Sequence, residues 1–579
     1  MSRNAEIAAV LEEFADHLEA RDVEYKPNSY RRAADSVRAH TVAIETLAKR
    51  GGADAVAEID DVGDAISSKI VEYLETGAVE ELEELRAELP VDMDALTAVE
   101  GVGPKTVADL YDELDVRTLD DLEDAAEAGE IQKLYGYGPK TETNIREAIP
   151  FAREARNRSL LGDARPIADA VLSTLAEHPA VERAETAGSI RRWRPTIGDV
   201  DVLVGTDDPE AAVDALVSWD GTDDVIEAGT GKASVRCEGF RVDLRAVDDS
   251  EFGAALQYFT GSKAHNVTVR NRAIDRALKL NEYGVFDVSD LEDDTDQRAG
   301  VRAAGETETG VYEALGMAWV PPELREDRGE VEAAAEDDLP TLLERAEIRG
   351  DLHLHTNYSD GRNTIAEMAT AAADFGHEYI AITDHATGPG MVGGVGLTDE
   401  ELTEQIEAVR AADDEVPIDL FAGVEANIDA EGGVSVGDDV LSELDLVVAS
   451  PHSGLDGDGT DRIVTAIEHP EVNVIGHPTG RRLNQRPGHD LDFEAVAEAA
   501  AEHDTALEIN ADPHRLDLHG AAVQIAVDAG ATIAIDTDAH HPDSYEYMRY
   551  GVHTARRGWA GPEDVLNCRP ADGVRSFLK

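Results

Sequence analysis

Two aspartates, Asp199 and Asp201, open the run Asp-Val-Asp-Val-Leu-Val, whose alternation is typical of a β-strand. Since side chains alternate along a strand, both carboxylates face the same side. A third acid, Asp243, lies in a second β-like run, and an adjacent strand would bring it beside the pair. Three carboxylates placed in this way could hold two divalent metal ions for phosphoryl transfer. The alternative is a solvated turn, which is the more common role of an isolated Asp-x-Asp pair.

The residues just before this pair are of the types that bind a polyphosphate. Gly188 lets a ligand approach the backbone, and Ser189 adds a hydroxyl group. Arg191 and Arg192 add cations that can each donate two hydrogen bonds to one phosphate. We therefore expect the triphosphate of a nucleotide beside the three carboxylates.

A second set of candidate metal ligands lies beyond residue 345, where apolar strands alternate with helices rich in alanine and glutamate. The strands are predicted at residues 379–383, 420–424, 444–449, 472–475, 506–509 and 532–535. Their order indicates a parallel barrel or an open parallel sheet. Such folds build their sites at the carboxyl ends of the strands. Nine ligand-type residues cluster there: His353, His355, Asp360, His385, Glu425, His452, His477, Asp538 and His540.

The composition of this second set indicates which metals would suit it. A single histidine is more often a surface or core residue, but nine ligand-type residues at successive strand ends favour a metal centre. Mixed imidazole and carboxylate ligands suit manganese, zinc or iron, with a bridging hydroxide as the nucleophile.

Residues 1 to about 90 read as short helices, and a glycine turn recurs at residues 59–63, 99–105 and 134–140. Such turns expose backbone amides at a helix N-terminus and form a phosphate site that is independent of base sequence. The alternative is a tight turn that glycine merely caps. One copy, at residues 59–63, has Asp61 in place of a glycine, which argues against phosphate binding there. The two complete copies contain Gly101, Gly103 and Lys105, and Gly136, Gly138 and Lys140.

Length and charge limit the class of protein. A chain of 579 residues is too long to fold around a single hydrophobic core, so three or more domains are expected. Two cysteines suit a reducing cytoplasm, and neither a signal peptide nor a membrane-spanning run is predicted. The net charge of −71 is opposite to that of most DNA-binding proteins. Either the protein binds no nucleic acid, or it works in the molar salt of a halophilic archaeon, which its scarce lysines favour.

In order and spacing, the carboxylate motif resembles the palm of the DNA polymerase X family, the polymerase beta-like nucleotidyltransferases, in a haloarchaeal form. Two later segments extend the resemblance: Tyr258-Phe259-Thr260-Gly261-Ser262 with Asn266 and Arg270, and the thumb motif Asn281-Glu282-Tyr283. The resemblance implies that Asp199 and Asp201 bind two magnesium ions and that Asp243 joins the catalytic one. It implies nucleotide contacts for Gly188, Ser189, Arg192, Gly198, Tyr258, Phe259, Gly261, Asn266 and Arg165, and a template contact for Arg270.

The N-terminal region resembles the lyase domain of the same family and its helix-hairpin-helix DNA-binding motifs. Lys26 and Tyr30 would belong to a 5′-phosphate pocket, and Lys69 would be the Schiff-base lysine that attacks an abasic sugar. The alternative for Lys69 is an exposed lysine on a polar helix face. Contacts with the DNA backbone are implied for Gly101, Gly103, Lys105, Gly136, Gly138 and Lys140.

The C-terminal region resembles the PHP (polymerase and histidinol phosphatase) domain, a distorted (β/α)7 barrel. That resemblance implies a phosphoesterase site with up to three ions, manganese or zinc, held by the nine residues named above. The two resemblances together cover essentially the whole chain.

The implied architecture is multidomain, of the α+β and α/β classes. Its boundaries are a lyase-like helical domain at 1–90, helix-hairpin-helix fingers at 91–154, a nucleotidyltransferase palm at 155–248, a thumb at 249–320, an acidic linker at 321–344 and the PHP domain at 345–579. The implied protein is a monomeric, cytoplasmic polymerase that fills short gaps in DNA repair and has a PHP 3′–5′ exonuclease, with 5′-deoxyribose phosphate lyase activity if Lys69 is active. Gapped or primer-template DNA and dNTPs would be its partners, with no membrane. The alternatives are a PHP phosphoesterase on a DNA-targeting platform and a non-catalytic scaffold that binds DNA ends.

Overall fold

The N-terminal region is helical in the computed structural model, which describes residues 3–21, 23, 26–40, 44–59, 61–99, 101–156, 158–291, 295–388, 395–413 and 415–578. Its helices are Arg3–Ala20, Lys26–Ala39, Ile44–Val56, Asp64–Thr76, Glu80–Glu88, Met93–Thr97, Pro104–Leu114, Leu119–Glu127 and Pro139–Arg156, with a 3-10 turn at Ile131–Lys133. They enclose two apolar cores, one that contains Phe14 and Tyr30 and one that contains Leu110 and Leu122.

The glycine turns lead directly into helices of this region. Gly63 and Gly103 have nearly identical backbone angles, with φ −79° and ψ 171° against φ −84° and ψ 173°. Gly101 and Gly136 have positive φ angles of 82° and 93°, and Asp61 takes the same left-handed conformation with a φ of 59°. The first copy therefore keeps the turn geometry although an aspartate replaces its first glycine.

The central region folds around a five-stranded sheet. In spatial order its strands are Arg183–Thr186, Val200–Gly205, Phe240–Val247, Lys232–Cys237 and Asp224–Ala228. The second and third of these are parallel, and their register pairs Asp201 with Asp243. Helices Leu161–Ala176 and Pro209–Val217 pack on the sheet. A short helix at Gly188–Arg191 leads to a two-stranded pair of Ser159–Leu160 with Thr196–Ile197.

The next segment combines three helices with a small antiparallel sheet. Its elements are a 3-10 turn at Asp249–Glu251, helices Phe252–Thr260, Lys263–Ile274 and Glu308–Ala314, and strands Leu278–Asn281, Gly284–Asp287 and Val301–Ala304. Tyr312 and Leu315 lie in the centre of its apolar core.

The acidic residues 321–344 form a folded segment, whereas their composition predicts a linker. The segment has a 3-10 turn at Pro322–Leu324 and a helix at Glu330–Glu336. Three of its charged side chains are buried in ion pairs: Glu323 with Arg556, Arg325 with Glu308, and Glu330 with His265. Composition misleads here because the partners of these charges, Arg556, Glu308 and His265, all lie outside the segment.

The C-terminal region is a parallel barrel of seven strands. In spatial order they are Gly350–Asp351, Tyr379–Ile382, Asp419–Asn427, Leu446–Ser450, Val474–Ile475, Ala506–Asn510 and Ile533–Asp536. Leu354 and Ala539, just beyond the first and last strands, pair in parallel and nearly close the barrel. The sequence predicts six of these strands. The sequence prediction misses the other strand, Gly350–Asp351, because its two residues lack the apolar run that marks the equally short strand Val474–Ile475.

Helices surround this barrel and connect its strands. They are Ile365–Phe375, Asp399–Asp413, Asp438–Leu441, Thr460–Ile467, Phe493–His503, Gly520–Asp528, Met548–Arg557 and Ala571–Phe577, with 3-10 turns at Arg345–Glu347, Pro542–Tyr547 and Leu566–Cys568.

The barrel packs against the central region through the helix Met548–Arg557. The ring of His553 stacks on Trp193 with centroids 3.5 Å apart. Arg557 donates to the backbone carbonyl of Arg192 at 2.6 Å. This helix therefore contacts the loop that follows Gly188.

Among the described residues, no helix is both long enough and apolar enough to cross a membrane.

Candidate active sites

The three predicted aspartates lie together on the central sheet. One carboxylate oxygen each of Asp199, Asp201 and Asp243 lies within 4.8 Å of the others, because Asp201 pairs with Asp243 across parallel strands. Burial, and then the charges of Asp199 and Asp243, raises the pKa of Asp201 to about 7. Arg241 donates to Asp243 at 2.9 Å. A cluster with this excess of negative charge and these oxygen donors fits magnesium.

Gly188 stands directly against this cluster. Its φ is 57°, and a Cβ at this position would lie 1.9 Å from Oδ2 of Asp201. Both the backbone conformation and the space therefore require glycine. Residues 188–198, here called the nucleotide loop, begin at this point.

A cavity of about 210 Å³ opens beside the aspartates and is lined by Asp201 and Asp243. Lys232, Arg245 and Phe259 lie on its wall, so acids and bases face one another across it. The guanidinium of Arg245 lies 4.6 Å from the Phe259 ring centroid, which holds the aromatic ring at the edge of the cavity. The cavity thus combines candidate metal ligands, cations and a ring against which a sugar or base could pack.

Two of the predicted nucleotide-binding arginines are engaged by protein groups in this structure. Arg192 donates to the carbonyl of Thr260 at 2.6 Å and to Glu326 at 3.0 Å. Arg165 belongs to the contact with the barrel, where its guanidinium lies 4.7 Å from the Trp193 ring centroid. The side chain of Arg192, a predicted nucleotide contact, is therefore bound to Glu326 in this structure.

The other predicted nucleotide contacts surround one turn. Asn266 donates to the carbonyls of Tyr258 and Gly261 at 2.7 and 3.3 Å, and thereby holds the turn between two helices. A Cβ on Gly261 would lie 2.5 Å from Oδ1 of Asn266, so the turn needs glycine. Of the remaining predicted residues, Ser189 is half-buried, and Gly198 and Arg270 are exposed.

The glycine turns of the N-terminal region face open space. A Cβ built on Gly101, Gly103, Gly136 or Gly138 would meet nothing within 4 Å among the described residues. The φ of Gly103 is −84°, so neither conformation nor packing within the described part of the chain requires glycine there. This open space leaves room for the close approach of an external group such as a phosphate, for which a glycine is suited. The lysines that follow these turns, Lys105 and Lys140, are exposed.

Lys69 lies in a partly enclosed site rather than on an open helix face. Its side chain is 16% exposed, pairs with Glu81, and lies with Nζ 5.1 Å from the Phe14 ring centroid. Tyr30 stacks on Phe14 at 4.6 Å, and burial raises the pKa of Tyr30 to about 12. Lys26 is exposed at the start of its helix. The alternative of a solvated surface lysine therefore does not describe Lys69.

All nine predicted ligands of the barrel meet in one group, here called the metal cluster. Three overlapping subsets each bring their ligand atoms within 4.8 Å: His355, Asp360, His385 and His540; His353, His355 and Glu425; His385, Glu425 and His452. The other two residues contact these subsets. His477 lies 3.0 Å from Glu425, and Asp538 lies 3.0 Å from His355.

The metal cluster fits bound cations. Four of its buried nitrogen atoms have no hydrogen-bond partner among the described residues: His353 Nε2, His355 Nδ1, His452 Nδ1 and His477 Nδ1. Burial, and then Arg515, lowers the pKa of His477 to about 3, so its ring is neutral and can donate a lone pair. Unpartnered buried polar atoms are costly, and divalent ions would satisfy them.

Sequence reasoning missed the carboxylates that hold the ligands. Glu508 accepts from His353 Nδ1 at 2.6 Å and from the backbone N–H of His477 at 2.5 Å, and it is fully buried. Such a partner fixes the ring orientation and the tautomer of a metal-ligating histidine. The available signal was an acid inside an apolar strand, Ala506–Asn510, where a charge is unexpected without a partner.

Parts of the chain match known domain families. Residues 2–79 match a helix-hairpin-helix domain, residues 53–115 and 93–149 a SAM-like helix-hairpin-helix tandem, residues 255–326 the DNA polymerase beta thumb, and residues 351–512 the PHP domain.

A relative from Bacillus subtilis (strain 168), named DNA polymerase/3'-5' exonuclease PolX, is 34% identical over 99% of each chain. The chain belongs to the DNA polymerase X family. The polymerase X assignment, the domain matches and the nearly closed seven-strand barrel confirm the predicted fold class.

Shorter matches to this polymerase X chain are to proteins named probable phosphatase. The protein from Caldicellulosiruptor saccharolyticus is 36% identical over 28% of this chain and 64% of its own. The one from Syntrophotalea carbinolica is 29% identical over 40% of this chain and 96% of its own.

Proposed function

We propose that this protein is a DNA-directed DNA polymerase that fills short gaps and carries a 3′–5′ exonuclease in its PHP domain. The observation that carries the proposal is the presence of two separate clusters of metal-type residues on one chain, three aspartates on the central sheet and nine residues in the barrel. The relative from Bacillus subtilis bears the name of both activities.

For synthesis, Asp199, Asp201 and Asp243 would hold two magnesium ions, which supply Lewis-acid charge for phosphoryl transfer when bound. Arg241 orients the carboxylate of Asp243 through its 2.9 Å hydrogen bond. The backbone at Gly188 and the hydroxyl of Ser189 would receive the triphosphate of the incoming dNTP. Phe259 and the neighbouring Tyr258 would limit the space at the sugar, since the Phe259 ring lines the cavity.

For trimming, the nine residues of the metal cluster would hold up to three manganese or zinc ions, which lower the pKa of a water nucleophile when bound. Glu508 holds the ring of His353 and the backbone of His477 so that their free nitrogens face the cluster. Asp384 accepts hydrogen bonds from Thr356 and Ser359 at 2.7 and 2.6 Å and fixes the loop that carries Asp360.

The partly enclosed Lys69 supports a third activity, release of a 5′-deoxyribose phosphate through a Schiff base. Glu81, which pairs with Lys69, could take the proton from its ammonium group before attack. The DNA contacts in this proposal are those of the glycine turns with Lys105 and Lys140, of Lys26 and Tyr30 at a 5′-phosphate, and of Arg270 at the template. The setting is base excision repair by a monomer in the cytoplasm of a haloarchaeon.

The test uses a gapped duplex with a 5′-phosphate in molar potassium chloride, with dNTPs and either magnesium or manganese. Asp243→Ala should abolish primer extension and retain trimming, and His353→Ala should do the converse. Borohydride trapping on an incised abasic site should be lost in Lys69→Ala alone. If both acid and histidine variants lost both activities while folded, the separation of the sites would be wrong. Trimming without extension would favour a phosphoesterase on a DNA-targeting platform. Absence of both activities in metal-loaded protein would favour a non-catalytic scaffold.

A further inference from the structure

A second cavity lies where the nucleotide loop meets the barrel. This junction cavity has a volume of about 310 Å³, and its charged lining consists of Arg194, Arg328, Arg481, Arg557 and Glu326. Four guanidinium groups face one carboxylate, although the chain as a whole carries a net charge of −71. Concentrated positive charge in so acidic a protein requires a local reason.

Protein groups satisfy these cations only in part, because Arg328, Arg481 and Arg557 donate to backbone carbonyls while the lining contains a single carboxylate. The single carboxylate, Glu326, is already shared by Arg192 at 3.0 Å, Arg557 at 3.3 Å and Arg194 at 3.4 Å. The buried Nε atoms of Arg194 and Arg328 have no hydrogen-bond partner within the described part of the chain. Unpartnered buried donors are rare in native proteins and indicate a group that completes them.

Helix Gly520–Asp528 adds to the positive potential of the junction cavity. Gly520 and Ala521, its first residues, line the cavity, and a helix N-terminus carries partial positive charge and free N–H groups. A Cβ on Gly520 would lie 2.7 Å from that of Arg557, so glycine is what lets this arginine reach the helix start. Burial, and then the nearby arginines, lowers the pKa of the adjacent His519 to about 4.

Residues that line the junction cavity are in contact with residues of both candidate active sites. On one side, Arg194 belongs to the nucleotide loop and shares Glu326 with Arg192. On the other side, Arg481 donates to the carbonyl of Arg515 at 2.9 Å, and Nε of Arg515 lies 3.8 Å from Asp538 of the metal cluster. An anion in the cavity would therefore be held by arginines that are linked on one side to the nucleotide loop and on the other to a ligand of the metal cluster.

We propose that the junction cavity binds a backbone phosphate of a DNA single strand whose 3′ end passes between the polymerase aspartates and the metal cluster. Guanidinium forks match phosphate oxygens, and the cavity supplies them from both domains. This inference rests on the proposed function, because it requires a strand that both sites share. Free pyrophosphate offers the same oxygens and is the other source of a phosphate group.

The test replaces Arg194, whose side chain is 39% exposed and whose contact with Glu326 is long at 3.4 Å, so that Arg194→Met should fold. The Kd is measured by fluorescence anisotropy at fixed ionic strength for a series of single-stranded oligonucleotides. Each oligonucleotide has one phosphate replaced by an uncharged methylphosphonate link, and the position of that link moves stepwise from the 3′ end through the series. In the unmodified protein, a neutral link at one position should weaken binding about tenfold. Arg194→Met should bind the all-phosphate strand about tenfold more weakly, and the neutral link at that position should not change its Kd further.

The matched control is Arg575→Met, an arginine on the outer surface of the barrel that is 45% exposed and pairs with Asp419. It should reproduce the link profile of the unmodified protein. The inference is overturned if Arg194→Met and the unmodified protein lose the same factor at every link. It is also overturned if pyrophosphate binding depends on Arg194 while the link profile is flat, because the ligand is then a free anion.

Turnover is read separately from binding. The p-nitrophenyl ester of thymidine 5′-monophosphate reports on the metal cluster without a strand, and its hydrolysis should be equal in Arg194→Met, Arg575→Met and unmodified protein. Absence of hydrolysis and of strand shortening in metal-loaded protein would contradict the proposed exonuclease, whereas the anisotropy profile would still decide what the junction cavity binds.

Discussion

Gly188 is the residue on which the geometry of the aspartate site depends most directly. Its positive φ costs any other residue about 1 kcal/mol or more, and a Cβ would press on Asp201. Gly188→Ala should therefore reduce primer extension at least about 100-fold, because the carboxylate must move from its metal-binding position. Single-turnover extension on gapped DNA measures this loss, and trimming by the PHP domain should be unchanged.

Gly77→Ala is the control for that substitution. Gly77 has a φ of 77° at the end of a helix, but a Cβ there would meet nothing within 4 Å in the described structure. It should lose a similar small amount of stability and retain extension. Equal extension by the two variants would show that the contact with Asp201 is unimportant.

Single residues also show what the sequence could predict about the sites. Asp201 and Asp243 were predictable as a pair because side-chain alternation and adjacent strands place both carboxylates on one face. The nine barrel ligands were predictable because the carboxyl ends of parallel strands converge. The partner of Arg192 was not predictable, because Glu326 lies 134 residues away along the chain. Spacing in sequence cannot supply such a contact.

The helix-hairpin-helix turns provide a prediction at the scale of structural elements. Because Gly103 has a negative φ and open space, Gly103→Ala should keep or slightly raise stability, by about 0.4–1 kcal/mol. DNA affinity should fall several-fold, since a methyl group would separate the amides from a phosphate. Thermal unfolding and anisotropy with a duplex measure the two effects.

Gly63→Ala tests whether the first copy also binds DNA, because its turn has the same backbone angles despite Asp61. Gly138→Ala should behave as Gly103→Ala does. Loss of stability without loss of DNA binding would mean that these glycines serve only the fold.

The elements are predictable where an apolar run or a glycine turn marks them in the sequence. The six barrel strands with apolar runs and the glycine turns meet this condition, whereas the composition of the helix Glu330–Glu336 predicts part of an acidic linker. Its polar sequence is compatible with folding because Glu330 is paired with the buried His265 at 2.5 Å. Tertiary ion pairs overrode composition there.

Charge gives a prediction for the whole molecule. With a net charge of −71, the acidic side chains repel one another at low ionic strength and destabilise the fold. Salt screens this repulsion, and the Debye length falls to about 3 Å only near molar salt. The melting temperature should therefore rise steeply between dilute buffer and molar potassium chloride. Scanning calorimetry across that range, with sucrose as a neutral solute control, measures it. A salt-independent melting temperature would contradict a haloarchaeal setting.

The contact between the folded acidic segment and the barrel should fail in acid. Glu323 is 3% exposed and accepts from His553 and Arg556, each at 2.7 Å. Burial alone would raise the pKa of Glu323, but these two partners outweigh it and lower the pKa from 4.5 to about 2. Because the folded pKa is depressed, the stabilisation is full above pH 4.5 and is lost as the pH falls towards 2.

That shift corresponds to about 3 kcal/mol of stability at neutral pH. Glu323→Gln should therefore melt several degrees lower than the unmodified protein at pH 7 and lose most of the difference near pH 2. Glu344→Gln is the matched control, because Glu344 contacts the same Arg556 at 2.9 Å but is 72% exposed, where an ion pair contributes little. Melting curves from pH 2 to 7 compare the three proteins. Parallel pH profiles for Glu323→Gln and the unmodified protein would mean that this buried carboxylate does not join the acidic segment to the barrel. The Trp193–His553 stack and the Arg557 contacts would then have to hold the two regions together.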